Sequence, residues 1–168
     1  RIAKHWIAGE TLEDALARAQ QSSTKKVRGI INLLGEEITD QEDTAAAAAE
    51  YLEILKTIDA RRIQSCISVK PTQLGLAIDE SLFKDNLRKI LSNAKSLGNF
   101  VWVDMEGSPF TAQTVDSYIE ARKEFDNVGI AIQAYLKRSE GDVSRILESG
   151  GAIRLCKGGY HESPSIGY

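Results

Sequence analysis

Five hydrophobic segments of the chain end in charged or amide residues that could do chemistry, always at the downstream end of the segment. Segments rich in β-branched residues and separated by helical patterns are typical of parallel strands. An α/β barrel carries its chemistry at the C-terminal ends of such strands. We therefore expect one face of the fold to collect five candidate active-site residues: Lys70, Asp104, Gln133, Arg154 and Lys157.

The predicted strands begin 36, 36, 28 and 24 residues apart, near the roughly 31 residues per βα unit of a (βα)8 barrel. A helical pattern fills each interval, and one more, from Thr11 to about Gln21, precedes the first strand. The sequence therefore predicts an α/β fold, a TIM-type (βα)8 barrel of which residues 1–168 form about the first five units. The predicted strands are Arg28 to Leu34, Gln64 to Lys70, Phe100 to Met105, Val128 to Ala134 and Ala152 to Cys156.

Local signals mark where several helices begin and end. Thr39-x-x-Glu42 has the spacing of a capping box and predicts a helix start, as does Ser139-x-x-Asp142. Gly98 suits the left-handed position after a helix, and a further helix is expected over 111–125.

A doubly wound open sheet is the alternative fold, but the turn after the first predicted strand, Leu34-Gly35-Glu36-Glu37, has one glycine and two acids and lacks a glycine-rich phosphate loop. The barrel needs about three more units than this chain contains. We expect 1–168 to be a partial barrel domain whose C-terminal units are missing, or one that closes with another chain. Otherwise its outer strands would be bare apolar edges.

Composition narrows the class of protein. The net charge is −3, with no basic face, which argues against nucleic-acid binding. No apolar run approaches the ~20 residues needed to span a bilayer, and we expect a cytoplasmic enzyme. Cys66 and Cys156 fall within predicted strands, without metal-ligand spacing, so we expect reduced core residues and no metal.

Each candidate also has a structural interpretation. Lys70 and Asp104 could form a buried ion pair with each other or with Arg154. Gln133 could read an amide-like ligand edge or bond neighbouring backbone. The segment Lys157-Gly158-Gly159-Tyr160 could bring the backbone close to a bulky ligand with a ring at the pocket wall, or form a plain turn.

Four motifs, in order and spacing, resemble the flavin-dependent proline dehydrogenase family over nearly the whole chain. The opening Ala8-Gly9-Glu10-Thr11 and Asn32-Leu33-Leu34-Gly35-Glu36 also fit. The motifs are Ser68-Val69-Lys70-Pro71-Thr72-Gln73-Leu74-Gly75-Leu76, Val103-Asp104-Met105-Glu106-Gly107-Ser108-Pro109, Gln133-Ala134-Tyr135-Leu136 with Arg138, and Ile153-Arg154-Leu155-Cys156-Lys157-Gly158-Gly159-Tyr160.

The resemblance implies a distorted barrel that binds FAD, oxidises L-proline to Δ1-pyrroline-5-carboxylate and passes electrons to a membrane quinone. It implies a peripheral position at the inner membrane, or in the mitochondrial matrix of a eukaryote, and a homo-oligomer is a further expectation. The implied catalytic residues are Lys70, Asp104, Arg154 and Tyr160. Lys70, Asp104 and Tyr160 would bind substrate, while Gln133, Arg154, Lys157, Gly158, Gly159 and His161 would bind FAD.

The chain departs from the family pattern at three of these positions. Gly159 stands where alanine is usual, Cys156 replaces an aliphatic residue, and His161 lies where an aromatic or other side chain often meets the cofactor. The family's late helix, with its carboxylate-binding arginine pair, would lie beyond Tyr168. Two alternatives remain open: a Schiff-base aldolase using Lys70 or Lys157, and an inactive truncated barrel fragment.

Overall fold

The computed structural model describes residues 8–9 and 11–168 and contains a sheet of five parallel strands joined by helices. The predicted alternation of strands and helices is confirmed; the first four strands are shorter than predicted and the fifth has the predicted bounds. The strands are β1 (Gly29–Asn32), β2 (Ser65–Val69), β3 (Val101–Val103), β4 (Val128–Gln133) and β5 (Ala152–Cys156). The helices are α1 (Leu12–Thr24), α2 (Gln41–Ala60), α3 (Glu80–Ser96), α4 (Ser108–Arg122) and α5 (Ser139–Glu148).

The strand order β1-β2-β3-β4-β5 distinguishes between the two predicted folds. A doubly wound sheet reverses its strand order at one point, and this sheet does not. Right-handed crossovers between strands paired in sequence order place α2 to α5 on the same face. The chain therefore has the α/β architecture of a barrel segment, as the sequence predicts.

Alternation along the strands separates a buried face from the face that carries the site. Ile67 and Val69 of β2 pair with Val101 and Val103 of β3, and all four are fully buried against the helices. The intervening residues point the other way, because successive side chains of a strand alternate. We call that side the inner face, and it includes Asn32, Ser68, Trp102, Ala131 and Arg154.

Two predicted capping boxes are wrong. The N-cap of α2 is Asp40, whose carboxylate accepts from the N–H groups of Glu42 and Asp43, so Thr39 is not used. The N-cap of α5 is Arg138, without a side-chain cap, because the Ser139 hydroxyl donates instead to the backbone oxygen of Gln133. A complete capping box lies at the start of α1, between Thr11 and Asp14.

The ends of the other helices follow simple rules. Gly98, after α3, has φ +63°, as predicted for a left-handed C-terminal residue. Helix α4 begins at Ser108, three residues before the predicted start, with Pro109 in its first turn, where the missing N–H of proline is tolerated.

The two cysteines are free, as expected, but they are not core residues. Cys66 and Cys156 are only partly buried, since both lie on the inner face, where the neighbours of Cys66 include the exposed Ile30. Within 8–9 and 11–168, no helix is long and apolar enough to cross a membrane. The same residues contain no cluster of histidine, cysteine and acidic side chains suited to a metal ion.

Candidate active site

The carboxylate of Asp104, directly after β3, joins the inner face of the sheet. It accepts hydrogen bonds from Nη2 of Arg154 at 2.5 Å, from Nδ2 of Asn32 at 3.0 Å and from the hydroxyl of Ser68. The donors come from β5, β1 and β2, so one carboxylate connects four of the five strands. Asn32 and Ser68 lie in the quoted motifs but are not among the predicted site residues.

The guanidinium of Arg154 has donor capacity that this pairing does not use. Its Nε is buried without a hydrogen-bond partner among the described residues, although 38% of the side chain is exposed. The guanidinium carbon lies 5.9 Å from the ring centroid of Trp102, within cation–π range. Arg154 is therefore held by Asp104 and Trp102, and its Nε–H keeps an unused donor capacity among the described residues.

Lys70, Glu36 and Tyr160 form a second cluster at the same ends of the strands. Oε1 of Glu36 accepts from Nζ of Lys70 at 2.5 Å and from the Tyr160 hydroxyl at 2.9 Å. Partial burial acts to raise the pKa of Glu36, but the hydrogen bonds from Lys70 and Tyr160 outweigh it, so this pKa lies below its ordinary value. Burial and the Glu36 carboxylate both raise the pKa of Tyr160.

Glu36 was not predicted as a site residue. It occupies two of the three polar groups that the resemblance assigns to substrate, the Lys70 ammonium and the Tyr160 hydroxyl. The sequence could have indicated Glu36 as a site residue. Like Lys70, it is a charged residue that follows the end of a predicted strand, which is where an α/β barrel carries its chemistry.

Gln133 is buried at the end of β4. Its Nε2 donates to the backbone oxygen of Glu106 at 3.0 Å, and its Oε1 accepts from the N–H of Gly159 at 3.2 Å. Both bonds join the Gln133 side chain to neighbouring backbone, as the structural interpretation of this residue predicts. One side-chain N–H and one acceptor lone pair remain for a ligand, so the predicted contact with a flavin stays a prediction.

The two glycines after β5 differ in their surroundings. Gly158 has φ +110°, and a Cβ there would lie 2.0 Å from Cδ1 of Tyr135, so the residue is needed for a contact within the chain. A Cβ on Gly159 would meet nothing within 4 Å. Lys157 and His161 are exposed beside this turn. Open space at Gly159 suits the approach of a ligand to the backbone.

The carboxyl group of Glu106 makes a buried polar contact beside the site, and the sequence did not predict it as a site residue. Its two oxygens accept from the N–H and the hydroxyl of Thr72, each at 2.7 Å. Only 2% of Glu106 is exposed. Burial raises its pKa, although the two bonds from Thr72 act in the opposite direction.

The predicted residues thus lie at one end of the sheet in three groups. Asp104 binds Arg154, Lys70 and Tyr160 share Glu36, and Gln133 binds the Gly159 backbone. The first two groups place cations beside carboxylates, whereas the exposed Lys157 and His161 lie at the margin. The arrangement can hold an anionic substrate and stabilise negative charge that develops near Arg154.

Comparison with known proteins assigns the chain to a family. A family model described as proline dehydrogenase matches residues 15–164. Proline dehydrogenase 1 of Bacillus subtilis is 31% identical over 166 residues, which are 99% of this chain and 55% of that protein. Proline dehydrogenase of Deinococcus radiodurans is 30% identical over 172 residues, covering 99% of this chain and 56% of that protein.

A solved structure is similar in fold. Proline utilization A from Bdellovibrio bacteriovorus, in the form inactivated by N-propargylglycine, has a TM-score of 0.79 and 23% identity over 90% of this chain and 20% of that one. The chain spans about 55% of the length of the Bacillus relative. Since the family model covers most of the chain, the chain belongs to the proline dehydrogenase family.

Proposed function

We propose that the full-length protein oxidises L-proline to Δ1-pyrroline-5-carboxylate with bound FAD as the acceptor. A hydride leaves C5 of proline, the amine loses a proton, and a C=N bond forms. FAD, when bound, supplies the two-electron acceptor. Family membership supports this reaction, and the observation that carries it is the Arg154 guanidinium, fixed by Asp104 and retaining a buried, unpartnered Nε.

The residues of the site fit a flavin. The unpartnered Nε of Arg154 can meet an electron-rich ring atom, and the open space at Gly159 can admit a cofactor close to the backbone. Gln133 has one N–H left for the pyrimidine end of the ring. Gly158, Lys157 and His161 complete the proposed cofactor-binding turn. A fixed cation beside the acceptor stabilises the negative charge that arrives with the hydride.

On the substrate side, we assign Lys70 to the proline carboxylate and Tyr160 to the wall between substrate and cofactor. Both donors are paired with Glu36 in this structure, so the substrate carboxylate would exchange with that of Glu36. Asp104 keeps Arg154 oriented and shapes the substrate site from the other side.

The decisive test is the visible spectrum of the purified full-length protein. We expect flavin absorbance bands, present as purified or after FAD is added. Under anaerobic conditions the bands should bleach when L-proline is added. Absence of flavin bands even after FAD addition would contradict the proposal.

For Lys70, the Schiff-base alternative has no structural observation in its favour, because its ammonium is engaged by Glu36, whereas Lys157 is exposed. Borohydride trapping with a carbonyl substrate tests it directly. Covalent trapping at Lys70 or Lys157, without flavin reduction by proline, would favour the aldolase over the dehydrogenase.

We further propose that the electrons pass to a quinone and that the full-length protein is a cytoplasmic homo-oligomer attached peripherally to the inner membrane. Reduction of a soluble quinone analogue with proline, in the presence and absence of lipid vesicles, tests the acceptor and the attachment together. Activity with dyes but not with quinone would contradict this assignment.

A further inference from the structure

Thr72 and Glu106 form a buried hydrogen-bonded pair to which the proposed reaction assigns no role. The Thr72 hydroxyl donates to Oε1 of Glu106, and the Thr72 N–H donates to Oε2. A buried carboxylate is costly unless its oxygens are hydrogen-bonded. Thr72 itself is fully buried. The side chains of Thr72 and Glu106 are therefore held rigidly next to the site and are not exposed to a substrate.

Two more bonds extend the pair to both sides. The Thr72 hydroxyl oxygen accepts from the N–H of Glu37 at 2.8 Å. The backbone oxygen of Glu106 accepts from Nε2 of Gln133 at 3.0 Å. Glu37, Thr72 and Glu106 lie in the segments that follow β1, β2 and β3, and Gln133 is the last residue of β4.

Each connected residue adjoins or is a member of the candidate site. Glu37 follows Glu36, Thr72 comes two residues after Lys70, and Glu106 comes two residues after Asp104. The turn after Lys70 is closed by a bond from the N–H of Leu74 to the Lys70 backbone oxygen at 3.2 Å. The hydrogen bonds of Thr72 thus fix the Lys70 turn against the segments that carry Glu36 and Asp104, and the Glu106 backbone oxygen connects them to Gln133.

We propose that Thr72 and Glu106 are positioning residues that hold Lys70 in place for the substrate carboxylate. The inference rests on the proposed proline oxidation. A hydroxyl can donate to Glu106 and accept from Glu37 simultaneously, which an aliphatic side chain cannot do. Loss of the hydroxyl would release the Glu37 segment and leave one Glu106 oxygen without its donor.

A matched pair of variants in the full-length enzyme tests the proposal. Thr72→Val keeps the shape of threonine but removes the hydroxyl, whereas Thr72→Ser keeps the hydroxyl. We expect Thr72→Val to raise KM for L-proline about tenfold, since it removes a hydrogen bond to a charged group. The change in kcat should be much smaller. Thr72→Ser should keep KM near that of the wild type.

Glu106→Gln provides a second variant if Thr72→Val does not fold. Its amide keeps one acceptor for Thr72 and replaces the other with a donor, so KM should again rise more than kcat falls. Equal KM values for the wild type, Thr72→Val and Thr72→Ser would overturn the inference alone. A wild-type protein that proline cannot reduce would overturn the proposed function and this inference with it.

Discussion

Asp104 shows how one side chain can organise the chemistry of several strands. Its carboxylate accepts from Asn32, Ser68 and Arg154, whose positions differ from its own by 72, 36 and 50 residues. Hydrogen bonds to charged groups are stronger than neutral ones. The Arg154 guanidinium is consequently fixed by the protein itself, which is the preorganisation that its proposed role in stabilising negative charge requires.

Substitutions of Arg154 and Lys70 in the full-length enzyme should change different kinetic parameters. Arg154→Met removes a cation from developing charge, so we expect kcat to fall roughly 10²-fold and the bound FAD to become harder to reduce. Lys70→Met removes a ground-state contact, so KM for proline should rise while the flavin potential hardly moves. Steady-state kinetics and redox titration measure both. If both variants change KM equally and the redox potential of the bound FAD stays the same, Arg154 is a structural cation.

The buried carboxyl of Glu106 should make stability depend on pH. Burial raises its pKa above the ordinary value of about 4.3, so the folded state binds this proton more readily than the unfolded state. The stability associated with Glu106 is present at low pH and is lost as the pH rises through the raised pKa.

Glu106→Gln isolates this titration. The free energy of unfolding of the wild type, minus that of the variant, should decrease as the pH rises from about 4 toward neutrality. Urea unfolding of both full-length proteins at a series of pH values measures the difference. A difference that grows with pH would show that hydrogen bonding from Thr72 dominates over burial.

Sequence identified the acidic and basic side chains at strand ends but not their partners. The sequence predicts Lys70, Asp104 and Arg154 as site residues because each follows or lies in an apolar run. Asn32 and Ser68 lie within the strands and reach Asp104 only through the register of β1, β2 and β3, which local patterns do not contain. Glu106 looked like one more acid after a strand, and only the fold shows that Thr72 covers it.

At the level of elements, apolar runs predicted the strands and helical patterns predicted the helices that the described residues form, whereas the ends of these elements depended on competing local contacts. Asp40 displaced the expected cap at Thr39 because its carboxylate reaches two helix N–H groups. At α5, the Ser139 hydroxyl binds the Gln133 backbone and is not available to cap the helix. Cap motifs fail where a tertiary contact takes the same side chain.

The turn after β5 offers a test with its own control. Gly158→Ala would place a Cβ against the Tyr135 ring at φ +110°, so we expect a loss of about 1–3 kcal/mol from backbone strain alone. Gly159→Ala meets open space and should leave the thermal midpoint almost unchanged. Thermal unfolding of both variants of the full-length protein compares them. Equal midpoints would mean that the turn can rearrange around Tyr135.

For the whole molecule, the main feature is a sheet with its connecting helices on one side and, among residues 8–9 and 11–168, no strand paired to the outer edge of β1 or β5. Ile30 in β1 is 44% exposed and Leu155 in β5 is 64% exposed, as expected for apolar edges that lack a neighbouring strand. A cavity of about 590 Å³ lies beside β1 and reaches Asn32, Leu34 and Gln73. The strand order was predictable from regular spacing, but the extent of edge exposure was not.

These edges predict that the 168-residue chain, prepared alone, self-associates and does not oxidise proline. Sizing with light scattering over a range of concentrations should show mass increasing with concentration. Leu155→Lys, at the β5 edge, should reduce the association. Leu147→Lys is the matched control, since Leu147 is similarly exposed but lies on α5. A concentration-independent monomer that reduces dye with proline would contradict this prediction.

The position of Trp102 provides an optical reporter. Its ring lies on the inner face with the Arg154 guanidinium 5.9 Å from its centroid, and the chain's other tryptophan is Trp6. Oxidised flavins absorb light in the range where indoles emit. If FAD binds beside Arg154, the fluorescence of Trp102 will be quenched in proportion to the fraction of sites loaded. Comparing the emission of the full-length protein with that of its Trp102→Phe variant would isolate the Trp102 signal and follow cofactor uptake in real time.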